Sequence, residues 1–205
     1  GIGMIAAALA AFLKSASRVA NLSMGLANTK KEVIDFITPL MKKLRLQGSI
    51  LVVAAGNGDS NHVGLDNDRG VNDLFVHFTN LQFVENNRSF IMDNIIEVAA
   101  VDNMGQLARF SNFGKTKVML AAPGKGVNSC SSLPNQFKTK SGTSFSAPQV
   151  AATLAMMFVH FPFDSYSQII DRLRLSVDLL ASLESTTISG GRLNINRALG
   201  GEFVL

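Results

Sequence analysis

An α/β domain built on a mostly parallel sheet is the fold that this sequence predicts. Three observations carry it. Strand-like and helix-like patterns alternate along the chain; the run Ile50-Leu51-Val52-Val53 is apolar at every position, as a strand covered on both faces must be; and two capping-box signatures open apolar helical stretches. The 205 residues are 47% hydrophobic and 17% charged, enough to bury a core, and they read as part of one globular domain.

Taken in order, the first thirteen residues, Gly1 to Leu13, are nearly all apolar and predict a helix packed on the sheet. They are too short to cross a bilayer, and they lack the basic flank and the cleavage site of a signal peptide. Lys14 to Arg18 then lead into a strand. Thr29-Lys30-Lys31-Glu32 is a capping box before Val33, Ile34, Ile37, Met41 and Leu44, with Pro39 expected to kink or divide that helix. Ile50 to Val53 form the buried strand, which empties into Ala54-Ala55-Gly56-Asn57. The polar segment from Gly58 to Asn94 is expected to loop out. A second capping box, Ser165-Tyr166-Ser167-Gln168, precedes Ile169, Ile170, Leu173 and Leu180.

Residues 141–148 (Ser-Gly-Thr-Ser-Phe-Ser-Ala-Pro) run directly into an apolar stretch that ends near Phe161. Pro148 is tolerable in a first helical turn, so the helix should start between Thr143 and Ala147. A serine at a helix N-terminus sits beside unpaired N–H groups and partial positive charge, where a developing oxyanion would be stabilised. The competing reading is that Ser and Thr here are ordinary helix caps. Asn57, closing the apolar strand, offers a side-chain amide to such an oxyanion.

Ala54-Ala55-Gly56-Asn57 together with Gly142-Thr143-Ser144-Phe145-Ser146-Ala147-Pro148 resembles the subtilisin-like serine proteases, the subtilases. Further similar segments follow in family order: Val19 to Gly25, Ile95 to Asp102, Phe110 to Gly114, Ala121 to Gly124 and Gly191 to Asn194. The resemblance implies a three-layer subtilisin-like fold. It implies Ser144 as nucleophile and Asn57 as oxyanion donor, and it makes Leu22, Ser23, Met24 and Gly25 one wall of a peptide cleft. Ala54, Ala55 and Gly56, with Thr143, make the other. An extended polypeptide would add to the first wall as a strand, giving broad specificity with an apolar preference.

In this family an Asp and a His precede the segment like Val19 to Gly25. Neither an Asp-Thr-Gly nor an Asp-Ser-Gly stands before Val19, and no His-Gly-Thr occurs. The chain therefore reads as the C-terminal portion, residues 1–205, of one catalytic domain whose N-terminal part would be its partner. His160, sixteen residues beyond Ser144 on one helix, is about 24 Å away and too far to be a base. His62 and His77 read as solvated loop residues. Two readings stand: a serine endopeptidase inert until its upstream Asp and His are supplied, or a relative that binds extended peptides or a partner without cutting them. The Gly-x-Ser-x-Gly elbow of α/β-hydrolase esterases is absent.

Nineteen Lys and Arg against fifteen Asp and Glu give +4. The cations, as at Lys30-Lys31, Lys42-Lys43 and Lys115/Lys117, have no aromatic platform and read as solvated faces rather than a nucleic-acid surface. No cofactor is required by the implied chemistry. Residues 66–73 (Asp-Asn-Asp-Arg-Gly-Val-Asn-Asp) alternate oxygen ligands as calcium loops do, but the glycine comes one residue early and no closing Glu follows, so a hydrated turn is the competing reading and no metal ligand is assigned. The lone Cys130 reads as a small buried hydrophobe. Localisation is not legible in the chain; the resemblance alone points to export, secreted or periplasmic.

Overall fold

The computed structural model describes residues 2–23, 31–69, 82–85, 88–132 and 135–201, with side chains from Met4, Phe36 and Met92 onward in the segments whose first residues are given as backbone only, and none for 82–85. Helix α1 (Ile2–Ser15) leads to strand β1 (Val19–Leu22), helix α2 (Lys31–Leu46) and strand β2 (Ile50–Ala54). A hairpin, β3 (Gln82–Glu85) and β4 (Arg88–Ile91), precedes β5 (Ile95–Val101) and β6 (Val118–Pro123). A second hairpin, β7 (Val127–Cys130) and β8 (Phe137–Lys140), runs into the long helix α3 (Thr143–His160). Helix α4 (Tyr166–Leu175), strands β9 (Asp178–Leu179) and β10 (Gly191–Arg192), and helix α5 (Ile195–Ala198) complete it.

The main sheet has the order β1-β2-β5-β6-β10-β9. All its pairs are parallel except β9 with β10. Strand alternation assigns the two faces. Ile50 and Val52 point into a core with Val150, Leu154 and Met157 of α3 and Ile169 and Leu173 of α4, whereas Leu51 and Val53 point to Ile5 and Leu9 of α1 and Ile37, Met41 and Leu44 of α2. Helices on both faces of a parallel sheet make three layers, as the apolar run 50–53 requires.

Several expectations change. Pro39 does not divide α2, whose sixteen residues run on through it. The buried stripe Ile37, Met41 and Leu44 holds the helix across the one hydrogen bond that proline removes. Pro148 lies in the second turn of α3, because the helix begins at the early edge of its expected range. Leu180 is not helical: α4 stops at Leu175, and Ser176 donates its hydroxyl to Leu173 O. The Ser165 capping box is formed on both sides. Cys130 is exposed, since its hairpin lies outside the core. The segment after Asn57 does not simply loop out. Leu65 O accepts from Phe113 N–H at 3.0 Å, and Asn67, only 4% exposed, is folded against the end of the sheet. Thr29 and Lys30 of the first capping box lie outside the described residues.

Candidate active site at the C-terminal end of the sheet

Parallel strands all point their C-terminal ends the same way, so β1, β2, β5 and β6 deliver their last residues to one edge, where α3 begins. Gly142 precedes that helix at φ 151° and supplies no side-chain cap. Its N–H donates to Gly124 O just past β6, at 2.8 Å. This ties the helix start to the sheet.

From the other side, Asn57 follows β2. Its Oδ1 accepts from Thr143 N–H at 2.8 Å and from the Thr143 hydroxyl at 2.9 Å, and Gly56 N–H donates to Thr143 Oγ1 at 3.3 Å. With its oxygen held twice, Asn57 keeps its Nδ2 donors without a hydrogen bond among the described residues. Ser144 N–H, in the first turn of α3, has no partner among them either. The site thus collects two free donors at the positive end of a helix dipole.

Ser144 is half-buried, and its hydroxyl donates to Ser23 O, just beyond β1, at 3.2 Å. Neither Thr143 nor Ser144 uses its hydroxyl to cap α3. Ser146, fully buried, donates to Ala122 O at 3.0 Å and fastens the first turn to β6. Of the residues expected at the site, the structure brings Leu22, Ser23, Ala54, Ala55, Gly56, Asn57, Thr143 and Ser144 to this one edge. Met24 and Gly25 lie outside the described residues, as does His77. His62 sits in an exposed turn at φ 54°, and His160 closes the far end of α3.

Sequence reasoning missed the amide network beneath. Asn112, 1% exposed, accepts at Oδ1 from Gly58 N–H at 2.9 Å and Leu65 N–H at 3.0 Å, and its own N–H donates to Gly56 O at 3.0 Å. Its Nδ2 donates to Asn67 Oδ1 at 3.1 Å, while Asn67 Nδ2 reaches Ala55 O at 3.1 Å and Glu97 Oε2 at 3.2 Å. Gly56 must be glycine here: φ is 112°, and a Cβ would lie 2.5 Å from Asn112 Nδ2. Asn57 is therefore held between two residues that Asn112 pins.

Other charges are structural. Asp59 accepts from Asn61 and Val63 N–H groups, Val63 foremost, and these hold its carboxyl below the usual range. Asp66 Oδ1 accepts from Asp68 N–H, and Asp68 accepts from Thr116 N–H and hydroxyl. Lys115 and Lys117, expected on a solvated face, instead donate to the carbonyls of Glu184 and Thr187, and of Asn67. Among the described residues, no group of three His, Cys, Asp or Glu converges as a metal set, and no helix is long and apolar enough to cross a membrane. Residues 70–73 of the acidic segment lie outside them.

A family profile described as the Subtilase family matches residues 2–200. Subtilisin DY of Bacillus licheniformis is 29% identical over 157 residues, covering 76% of this chain and 48% of that protein. The thermostable alkaline protease of Halalkalibacterium halodurans is 36% identical over 88 residues, 43% of this chain and 24% of its own. Subtilisin-like protease 1 of Plasmodium falciparum is 34% identical over 117 residues, 54% and 17% respectively. The chain thus spans about half or less of the length of these curated relatives. Among solved structures, that of the subtilase cytotoxin SubAB assembly superposes with a TM-score of 0.74 at 22% identity, covering 95% of this chain and 63% of that one. The A-subunit of the AB5 toxin from E. coli gives 0.68 at 22%, covering 89% and 59%. These structural likenesses concern the fold, a three-layer α/β subtilisin-like arrangement. With the family profile spanning nearly the whole chain, the conclusion is that this protein belongs to the subtilase family of serine proteases.

Proposed function

We propose that this chain is the C-terminal portion of a subtilisin-like serine endopeptidase domain, carrying its nucleophile and its oxyanion donors. The observation that supports this most is the double anchoring of Asn57 Oδ1 on Thr143, the residue before Ser144, which leaves Asn57 Nδ2 and Ser144 N–H as free donors at one helix end. A role confined to packing has no use for two such donors beside a hydroxyl.

In the proposed reaction Ser144 Oγ attacks the scissile carbonyl of a polypeptide. Its proton passes to a histidine supplied from an upstream segment, oriented by an aspartate from the same segment, and then to the departing amine. Asn57 Nδ2 and Ser144 N–H hold the oxyanion. Water releases the acyl group by the same route in reverse, and no cofactor takes part. The upstream segment is the partner that the site needs.

One observation favours a second reading. Ser144 donates to a main-chain carbonyl, Ser23 O, and no described side chain is hydrogen-bonded to it as a base. By itself the chain would then hold extended peptides without cutting them. The test is peptide hydrolysis by the native full-length protein beside its Ser144→Ala variant and the 205-residue chain. The endopeptidase reading expects turnover in the native protein only; equal turnover in the Ser144→Ala variant, or none in the native protein, rejects it.

A further inference from the structure

Charge is distributed unevenly along this chain. Between Asp102 and Asp164 there is no Asp or Glu, while six cations occur there: Arg109, Lys115, Lys117, Lys125, Lys138 and Lys140. The rest of the chain is net acidic, with thirteen Lys and Arg against fifteen Asp and Glu. The acid-free stretch is the one that carries β6, the β7–β8 hairpin and α3, and so the candidate nucleophile.

Within it the cations divide by what holds them. Lys115 and Lys117 are spent on main-chain carbonyls, and Lys125 lies 3.8 Å from Asp102. Arg109 lies beside the loop after Asn57, its carbonyl accepting from Gly64 N–H. Lys138 and Lys140 differ: every residue of β8 is exposed, and neither lysine side chain has an ion pair or hydrogen bond among the described residues. They are two apart on one strand, opposite Ser129 and Val127 of β7, so they share a face. Lys140 is four residues before Ser144, within roughly 14 Å along the chain. No carboxylate in the hairpin neutralises them.

Residues 142–144 cross the sheet edge from the β6 end, where Gly142 N–H meets Gly124 O, past Asn57 after β2 to Ser23 after β1, so the hairpin between Gly124 and Gly142 joins this run on the β6 side, whereas the walls at Leu22 to Ser23 and Ala54 to Gly56 end β1 and β2. A peptide lying between the walls up to its scissile bond leaves past the hairpin. Resting on the endopeptidase reading for the direction of the peptide, we propose that Lys138 and Lys140 are specificity-determining residues that favour acidic side chains on the leaving-group side of the bond. Long, exposed lysines act here as rim charges. They steer an acidic segment into place and discriminate by Coulomb attraction, with no fixed pocket.

Fluorescein-labelled decapeptides test this on the native full-length protein carrying Ser144→Ala, which cannot cut them, and the anisotropy of the label reports binding. Three peptides share an apolar sequence and carry two Glu in the C-terminal half, two Gln in that half, or two Glu in the N-terminal half. The first is expected to bind about three- to tenfold more tightly than the second at low salt, the size that exposed charge pairs support. The advantage should fade towards 0.5 M salt, where the screening length drops to about 4 Å. It should vanish in the Lys138→Gln/Lys140→Gln double variant, and the Lys138→Glu/Lys140→Glu double variant should favour a Lys-bearing peptide instead. Equal binding of Glu and Gln peptides, an advantage that survives in the double variant, a preference for Glu in the N-terminal half, or no peptide binding overturns the inference. Because this readout needs no chemistry at Ser144, a native protein that fails to cut while the acidic preference persists rejects the endopeptidase reading alone.

Discussion

Replacing Asn112 by Ala tests how the loop carrying Asn57 is held. The substitution removes the acceptor for Gly58 N–H (2.9 Å) and Leu65 N–H (3.0 Å) and the donor to Asn67 Oδ1 (3.1 Å). Asn67 is 4% exposed, so its orphaned oxygen bears a full desolvation penalty, about 1–3 kcal/mol. Gly58 and Leu65 are half-buried, and water can partly replace the lost acceptor, leaving roughly 1 kcal/mol for each. The sum is about 3–5 kcal/mol, a large part of the 5–15 kcal/mol typical of a domain. With a urea m-value of about 2 kcal/mol/M, the unfolding midpoint should fall by roughly 1.5–2.5 M. Asn112→Asp keeps the acceptor for both N–H groups but turns a second oxygen toward Asn67 Oδ1. It should therefore sit between wild type and Ala, and recover as the pH is lowered and the carboxyl protonates. Urea titration of all three proteins is the assay. A midpoint shift in Asn112→Ala below about 0.5 M would refute the reasoning, since it would mean that the loop stands without these bonds.

Other substitutions probe the same edge. Asn57→Ala in the native protein should lower turnover about 10²- to 10³-fold with KM little changed; that magnitude is the one known from subtilisin itself, and steady-state kinetics read it. Gly124→Ala would drive a Cβ into Ser146 Oγ and Ala100 Cβ, costing about 1–3 kcal/mol, whereas at Gly126, with φ 72° and nothing within 4 Å, only backbone strain of about 1 kcal/mol applies; paired melting curves compare them. Asp178 tests pH dependence. Burial works to raise its carboxyl, but hydrogen bonds from Asn194 and Arg192 and the charges of Arg192 and Arg197 outweigh burial and hold it below the ordinary value of about 3.9. Its contribution is therefore complete above about pH 4 and is lost as pH falls through the depressed folded value, so Asp178→Asn should flatten the acid limb of a stability–pH profile.

Much of this fold is legible because its signals are local. The run Ile50 to Val53 reads as a doubly covered strand, and the structure buries its residues alternately against α3 and against α1 and α2. The Ser165 box needs only four consecutive residues. The start of α3 follows from Pro148 to within a turn. What escapes is non-local. Asn112 and Asn67 are forty-five residues apart, and only the pairing of β2, β5 and β6 brings their amides together. Lys115 and Lys117 read as a solvated pair until the carbonyls of Thr187 and Asn67 are placed beside them. Cys130 misleads because a thiol is usually buried, whereas a two-stranded hairpin outside the main sheet has no interior to offer it. At the site, Ser144 and Asn57 stand out in the sequence only as a nucleophile-like serine and an amide ending a strand; their connection through Thr143 is a tertiary fact.

The central claim is that Ser144 is an activated nucleophile once its domain is whole. Mapping a fluorophosphonate adduct by mass spectrometry on the native full-length protein tests it directly. The account expects a stoichiometric adduct on the peptide containing Ser144, strongly slowed in Asn57→Ala and absent from the 205-residue chain. Absence of labelling in the native protein, or an adduct on another serine, would contradict it.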